Sequence, residues 1–81
     1  MTKAEVQERM LRVLQAMKEE EELKAQLLQL DFGVSRAGEV DRAYRRQKEL
    51  LGAIELIRSE RVLPVLSELA AFVAEAKAKS A

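Results

Sequence analysis

The side chains able to do chemistry in this 81-residue chain are fourteen carboxylates, fourteen lysines and arginines, one tyrosine and a few hydroxyls; there is no His and no Cys. Acid–base catalysis near neutral pH draws most often on His, whose ordinary pKa lies closest to 7. Zinc, copper and iron–sulfur sites are built mainly from His and Cys. The expectation is therefore no catalytic residue, no cofactor, no metal site and no enzyme activity.

Each remaining cluster has a functional and a plainer reading. The run Glu19, Glu20, Glu21 and Glu22 offers oxygen ligands for a divalent cation. Consecutive helical positions point in different directions, however, and carboxylate metal sites in helical bundles draw ligands from several helices; a solvated or salt-bridged face is expected. Tyr44 with Lys48 one turn later could serve as a catalytic phenol, but a lone Tyr on an apolar stripe is more often packed with its hydroxyl at the edge. Ser35, Ser59 and Ser67 lack a His to activate them, and the spacing of Gly33 and Gly38 matches no phosphate-cradling pattern. Arg36, Arg42, Arg45, Arg46 and Lys48 could grip phosphates. Glu39 and Asp41 interrupt that cluster, no aromatic stacking partner accompanies it, and the net charge is zero. An inter-helix charge belt is the expected role.

The elements that carry these residues are helices. The chain is 48% apolar and 35% charged, with one Pro and three Gly, a composition too apolar for disorder and too poor in turn residues for a sheet. Thr2 and Glu5 fit a capping box ahead of Val6. Val6, Met10, Val13, Leu14 and Met17, then Leu23, Leu27, Leu28 and Leu30, predict a first helix over about residues 3–30 with Met10 and Met17 in its core. Gly33 suits its C-terminal cap, and 31–38 reads as a loop. A second helix begins near Gly38 with a stripe of Val40, Tyr44 with Ala43, Gln47, Leu51 with Leu50, Ile54 and Ile57.

Pro64 disfavours the α conformation at Leu63 and removes a backbone donor, so the second helix is expected to stop or kink near Arg61. A turn centred near 34–35 pairs residues whose numbers sum to roughly 69–70. This register sets Leu27 by Ala43, Met17 by Gly52 and Ala53, and Val13 by Leu56 and Ile57. It also sets the acidic run beside Arg45, Arg46 and Lys48. After Pro64, Val65, Leu69, Phe72 and Val73 form a wide apolar arc. If the chain reverses, the arc closes a three-helix bundle; if it only kinks, the arc is left for a partner.

The fold expectation is one all-α domain over residues 1–81: a long antiparallel hairpin plus a shorter C-terminal helix, closed as a three-helix bundle. No apolar run is long enough to span a membrane and no signal peptide is read at the N-terminus, so the cytoplasm is the expected compartment.

The stretch 44–55, YRRQKELLGAIE, resembles the second helix of the small co-chaperones for type III secretion needle subunits. Those proteins are short helical hairpins in which a Tyr opens the second helix and a Leu-Leu…Ala-Ile stripe follows. The resemblance implies a non-enzymatic protein that helps a second chaperone keep needle subunits soluble, with Tyr44, Leu51 and Ile54 at core or interface positions. The segment after Pro64 is longer than a bare hairpin needs.

These observations point to a helix-mediated protein–protein interaction module: an adaptor, co-chaperone or oligomerisation unit, bound to another protein or to itself through Val65, Leu69, Phe72 and Val73. The alternatives are a nucleic-acid-binding module using Arg42, Arg45 and Arg46, and a designed bundle without natural function. Gly52 within a helix and the Pro64 junction are not idealised design choices.

Overall fold

The computed structural model describes residues 1–30 and 37–80, with side chains described outside 37–39. The Gly33 cap, Ser35 and Arg36 lie outside the described residues, as does the side chain of Glu39. Among the described residues every regular element is helical. α1 is Lys3–Leu28, α2 is Ala37–Leu56, a π-helical segment covers Ile57–Val62, and α3 is Leu63–Ser80. The last three run on without a break as one long arm.

α1 begins as the sequence predicts. Thr2 is extended (φ −81°, ψ 164°), and its Oγ1 accepts the Glu5 N–H at 3.2 Å. The helix ends at Leu28, where the Gln29 N–H reaches the Ala25 and Gln26 carbonyls. α1 then packs along all three segments of the long arm. The molecule measures 64 × 18 × 15 Å with a radius of gyration of 18.7 Å, against about 12 Å for a compact domain of this length.

The three-helix bundle is corrected by this arrangement: the chain does not reverse at Pro64. Leu63 keeps helical angles (φ −59°, ψ −43°), and its N–H bonds the Arg58 carbonyl, five residues back. The apolar stripe explains why. The more protected positions of the long arm are Val40, Ala43, Gln47, Leu50, Ile54 (with Ala53 beside it) and Ile57, then Val62, Val65, Leu69 and Phe72. Steps of three and four alternate except for the step of five from Ile57 to Val62. In an α-helix that extra residue would rotate the stripe by about 100°. A turn closed by bonds to the fifth residue back absorbs it, so Ile57 and Val62 are both buried.

Pro64 follows directly. Its ring would crowd the Glu60 carbonyl in a regular α-helix, and the wide turn lies just where that strain would arise. A Pro inside a helix costs about 3 kcal/mol. Burying Val62 and partly covering Val65, Leu69 and Phe72 offsets that, at about 1.5–3 kcal/mol for each fully buried side chain.

The core is thin. Val13, Ala16, Ile57 and Val62 form its main cluster, with Leu23 and Val65 packed against it, and Leu50 is the most deeply buried large side chain. Three packing expectations change. Met10 and Met17 are exposed rather than in the core. Gly52 is not the hole for Met17: a Cβ there would meet nothing within 4 Å. The register also moves, since Glu20 meets Arg58 about two turns beyond the expected pairing. The match of Val13 and Ala16 to Ile57 and Val62 sets the pairing.

Two stability outcomes follow. Gly52→Ala adds no clash and lowers the entropy of the unfolded chain, so it should stabilise by about 0.5–1 kcal/mol, read as a higher urea midpoint. Deleting the exposed Ser59 leaves a four-residue step that an α-helix covers. That variant should keep its helical circular dichroism and cooperative melting. An Ala inserted after Ser59 should lose cooperative melting, because the arm beyond it turns its stripe away from α1.

Candidate functional site

The two long faces of the hairpin differ. On α1 the protected row is Val6, Arg9, Val13, Ala16, Glu20, Leu23 and Leu27. The residues just before these positions are polar and include Glu8, Arg12, Gln15, Glu19 and Gln26. On the long arm the corresponding preceding positions include Arg42, Arg46, Glu49, Arg61 and Glu68. Bonds across the helices show that these two rows share one side. Arg61 pairs with Glu19, and Arg46 Nη2 donates to Gln26 Oε1 at 2.9 Å. Arg12, Gln15, Glu60 and Arg61 line one shallow cleft there together with Val65.

The residues just after the protected positions therefore share the opposite side, because antiparallel helices turn in opposite senses toward a viewer. On α1 these are Gln7, Met10, Leu14, Met17, Glu21, Lys24 and Leu28; on the long arm they are Asp41, Tyr44, Lys48, Leu51, Glu55, Arg58, Leu63, Leu66, Ala70 and Val73. Met10, Leu14, Met17, Tyr44, Leu51, Leu63, Leu66 and Val73 are each 44–59% exposed, and Leu28 is 86% exposed. Gln7, Met10, Leu11 and Leu14 border an apolar groove on this side of α1. A soluble monomer rarely leaves so many large apolar side chains aligned and uncovered on one side. This broad face is the candidate site.

Polar residues within and beside the protected rows hold the hairpin in register. Glu20 is 7% exposed; it pairs with Arg58 and lies 3.9 Å from Lys24 Nζ. Arg9 Nε donates to Glu68 Oε2 at 2.8 Å, tying α1 to α3. That hydrogen bond, with the Glu68 charge, raises the Arg9 pKa above its already high ordinary value. The charge belt exists, but the acidic run meets Arg58 and Arg61 rather than Arg45, Arg46 and Lys48.

The residues singled out from the sequence divide between these surfaces. Val65, Leu69 and Phe72 lie in the protected row and are half-buried, Val65 against the core cluster. Phe72 borders a shallow groove with Met1, Ala71 and Glu75. Val73 lies in the exposed apolar row. Tyr44 is 54% exposed rather than packed on the stripe; Leu51 is also exposed, and Leu50 takes the core position. Of the arginines proposed for nucleic acid, Arg46 is engaged by Glu49 and Gln26. Glu19 pairs with Arg61, Glu20 with Arg58 and Lys24, and Glu21 with Lys24, and no group of three or more metal-ligating acids gathers among the described residues. No helix among them is long and apolar enough to cross a membrane.

The exposure of Met10 and Met17 has a signal in the sequence. The apolar residues of α1 fill two adjacent rows, and a single facing helix covers only one.

The balance at Glu20 can be tested by urea denaturation. Arg58→Ala leaves a buried carboxylate with Lys24 alone and should cost about 1–2 kcal/mol, discounted because Arg58 is half exposed. Glu20→Leu removes the desolvated charge itself and should fall within about 1 kcal/mol of the parent or above it. Compared with known protein families, curated proteins and solved structures, the chain matches none.

Proposed function

We propose that this chain is a helix-mediated protein–protein interaction module, in the class of oligomerisation units, adaptors and co-chaperones, with no chemistry of its own. One observation carries this reading. The row following the protected row carries exposed large apolar side chains on both helices (Met10, Leu14, Met17, Leu28, Tyr44, Leu51, Leu63, Leu66 and Val73), interspersed with charged residues, and it lies on one side; the row preceding it is mostly polar, with Leu56 its one exposed large apolar residue. A chain that folds only for itself gains nothing from the second stripe. Met10 and Met17 add unbranched, polarizable side chains that adapt to a facing surface. The co-chaperone reading fits a hairpin that presents such a face. The nucleic-acid alternative has less support, because Arg46 is already paired with a carboxylate and an amide on the polar side.

The test uses a photo-crosslinking residue at Leu14 or Leu66, with Arg12 as the control on the polar side. Crosslinks to a second polypeptide should form from the first two positions and not from Arg12. Leu14→Glu combined with Leu66→Glu should abolish capture while retaining helical content, with affinity falling by about 100-fold as expected for charges placed in a desolvated contact. Equal crosslinking from Arg12, or capture unchanged in the double variant, would remove this face from the interaction.

A further inference from the structure

Resting on the reading of this face as a protein-binding surface, we infer that its occupant is a second copy of this chain, the two hairpins closing face to face as a four-helix bundle. The area supports this. The chain exposes 6501 Å², whereas a compact monomer of its 9.2 kDa mass would expose about 4,900 Å². The excess is about 1,600 Å² per chain, within the range of roughly 1,000–2,500 Å² per subunit that permanent homodimers bury.

The face is also self-complementary, as a two-fold interface requires. The apolar positions form two clusters. Met10, Leu14, Met17, Leu63, Leu66 and Val73 lie toward the free ends, and Leu28, Tyr44 and Leu51, with Asp41 and Lys48 among them, lie toward the connection. Between them sits a charged waist. The Glu20–Arg58 pair sets Glu21 and Lys24 of α1 level with Glu55 and Arg58 of the long arm. Each helix thus brings one acid and one base to the waist, where Lys24 pairs with Glu21 and Arg58 with Glu20, so the waist is balanced and a dyad-related copy meets no excess of like charge. A partner of strongly acidic or basic character would find no matching bias, and the zero net charge of the chain removes long-range repulsion between copies.

The experiment is sedimentation velocity on the purified full chain from about 1 to 200 µM, with melting followed over the same range. A dimer of about 18 kDa is expected, with a melting temperature that rises with concentration as mass action requires. Leu14→Glu combined with Leu66→Glu should weaken association by about 100-fold or more. Because the chain has no Cys, single thiols report the face independently of that variant's folding. Met17→Cys should be protected from maleimide in a concentration-dependent manner, and Gln15→Cys should label at the same rate throughout. A single 9 kDa species whose melting temperature and Met17→Cys labelling ignore concentration would overturn the second copy as occupant. If that monomer still crosslinks to another protein through Leu14, the interaction reading stands and only the identity of the occupant fails.

Discussion

The hairpin depends on keeping two apolar stripes in phase. Two helices pair along their length only if each returns a side chain to the seam every three or four residues. The long arm breaks that rhythm once, with five residues from Ile57 to Val62. The π-helical turn absorbs the step locally, so Val65, Leu69 and Phe72 still reach α1. Without it, the N-terminal half of α1 would face the wrong side of the arm. The Arg9–Glu68 bond and the cluster around Val13 and Val62 could not coexist with the pairing of α1 and α2. Pro64 belongs to the same solution, since it follows the π-helical turn, in which the normal hydrogen-bond ladder is already interrupted.

Phase does not fix register, because a stripe of similar residues can slide by a turn at modest cost. Arg9 and Glu20 of α1 lie within the protected row and find partners at Glu68 and Arg58. Sliding the helices by one turn would leave Glu20 desolvated and separated from Arg58. Exposed pairs are worth little in net stability, but a nearly buried carboxylate without its partner is expensive. The charges therefore exclude wrong pairings more than they strengthen the right one.

The sequence reveals helix content, the Thr2 cap and the hairpin because each rests on local chemistry: side-chain spacing, a hydroxyl at a helix start, a cluster of turn residues. It misleads where two local rules compete. At Pro64 the rule that proline ends helices opposes the gain from continuing an apolar stripe, and the longer-range term wins. The expected register took the shortest loop as its guide, whereas Val13, Ala16, Ile57 and Val62 decide it. Met17 and Gly52 looked complementary only within that register. The candidate face was half legible. The place of Val73 after Pro64 suggests its exposure, while the spacing of Met10 and Met17 suggests a core that a two-helix hairpin is too narrow to provide.

That narrowness gives the exposed row its meaning. One helix offers another a single seam, and the neighbouring rows of each must meet water or something else. On the polar side the answer is water and ion pairs: Arg61 with Glu19, Arg46 with Gln26 and Glu49. The same geometry on the other side would serve equally well with Lys, Gln or Glu at Met10, Leu14, Leu51 and Leu66, all of which are strong helix formers. Helix propensity therefore does not require the apolar residues, and burial within the chain does not use them. Their alignment on both helices is the form a surface takes when a further layer of helices completes it.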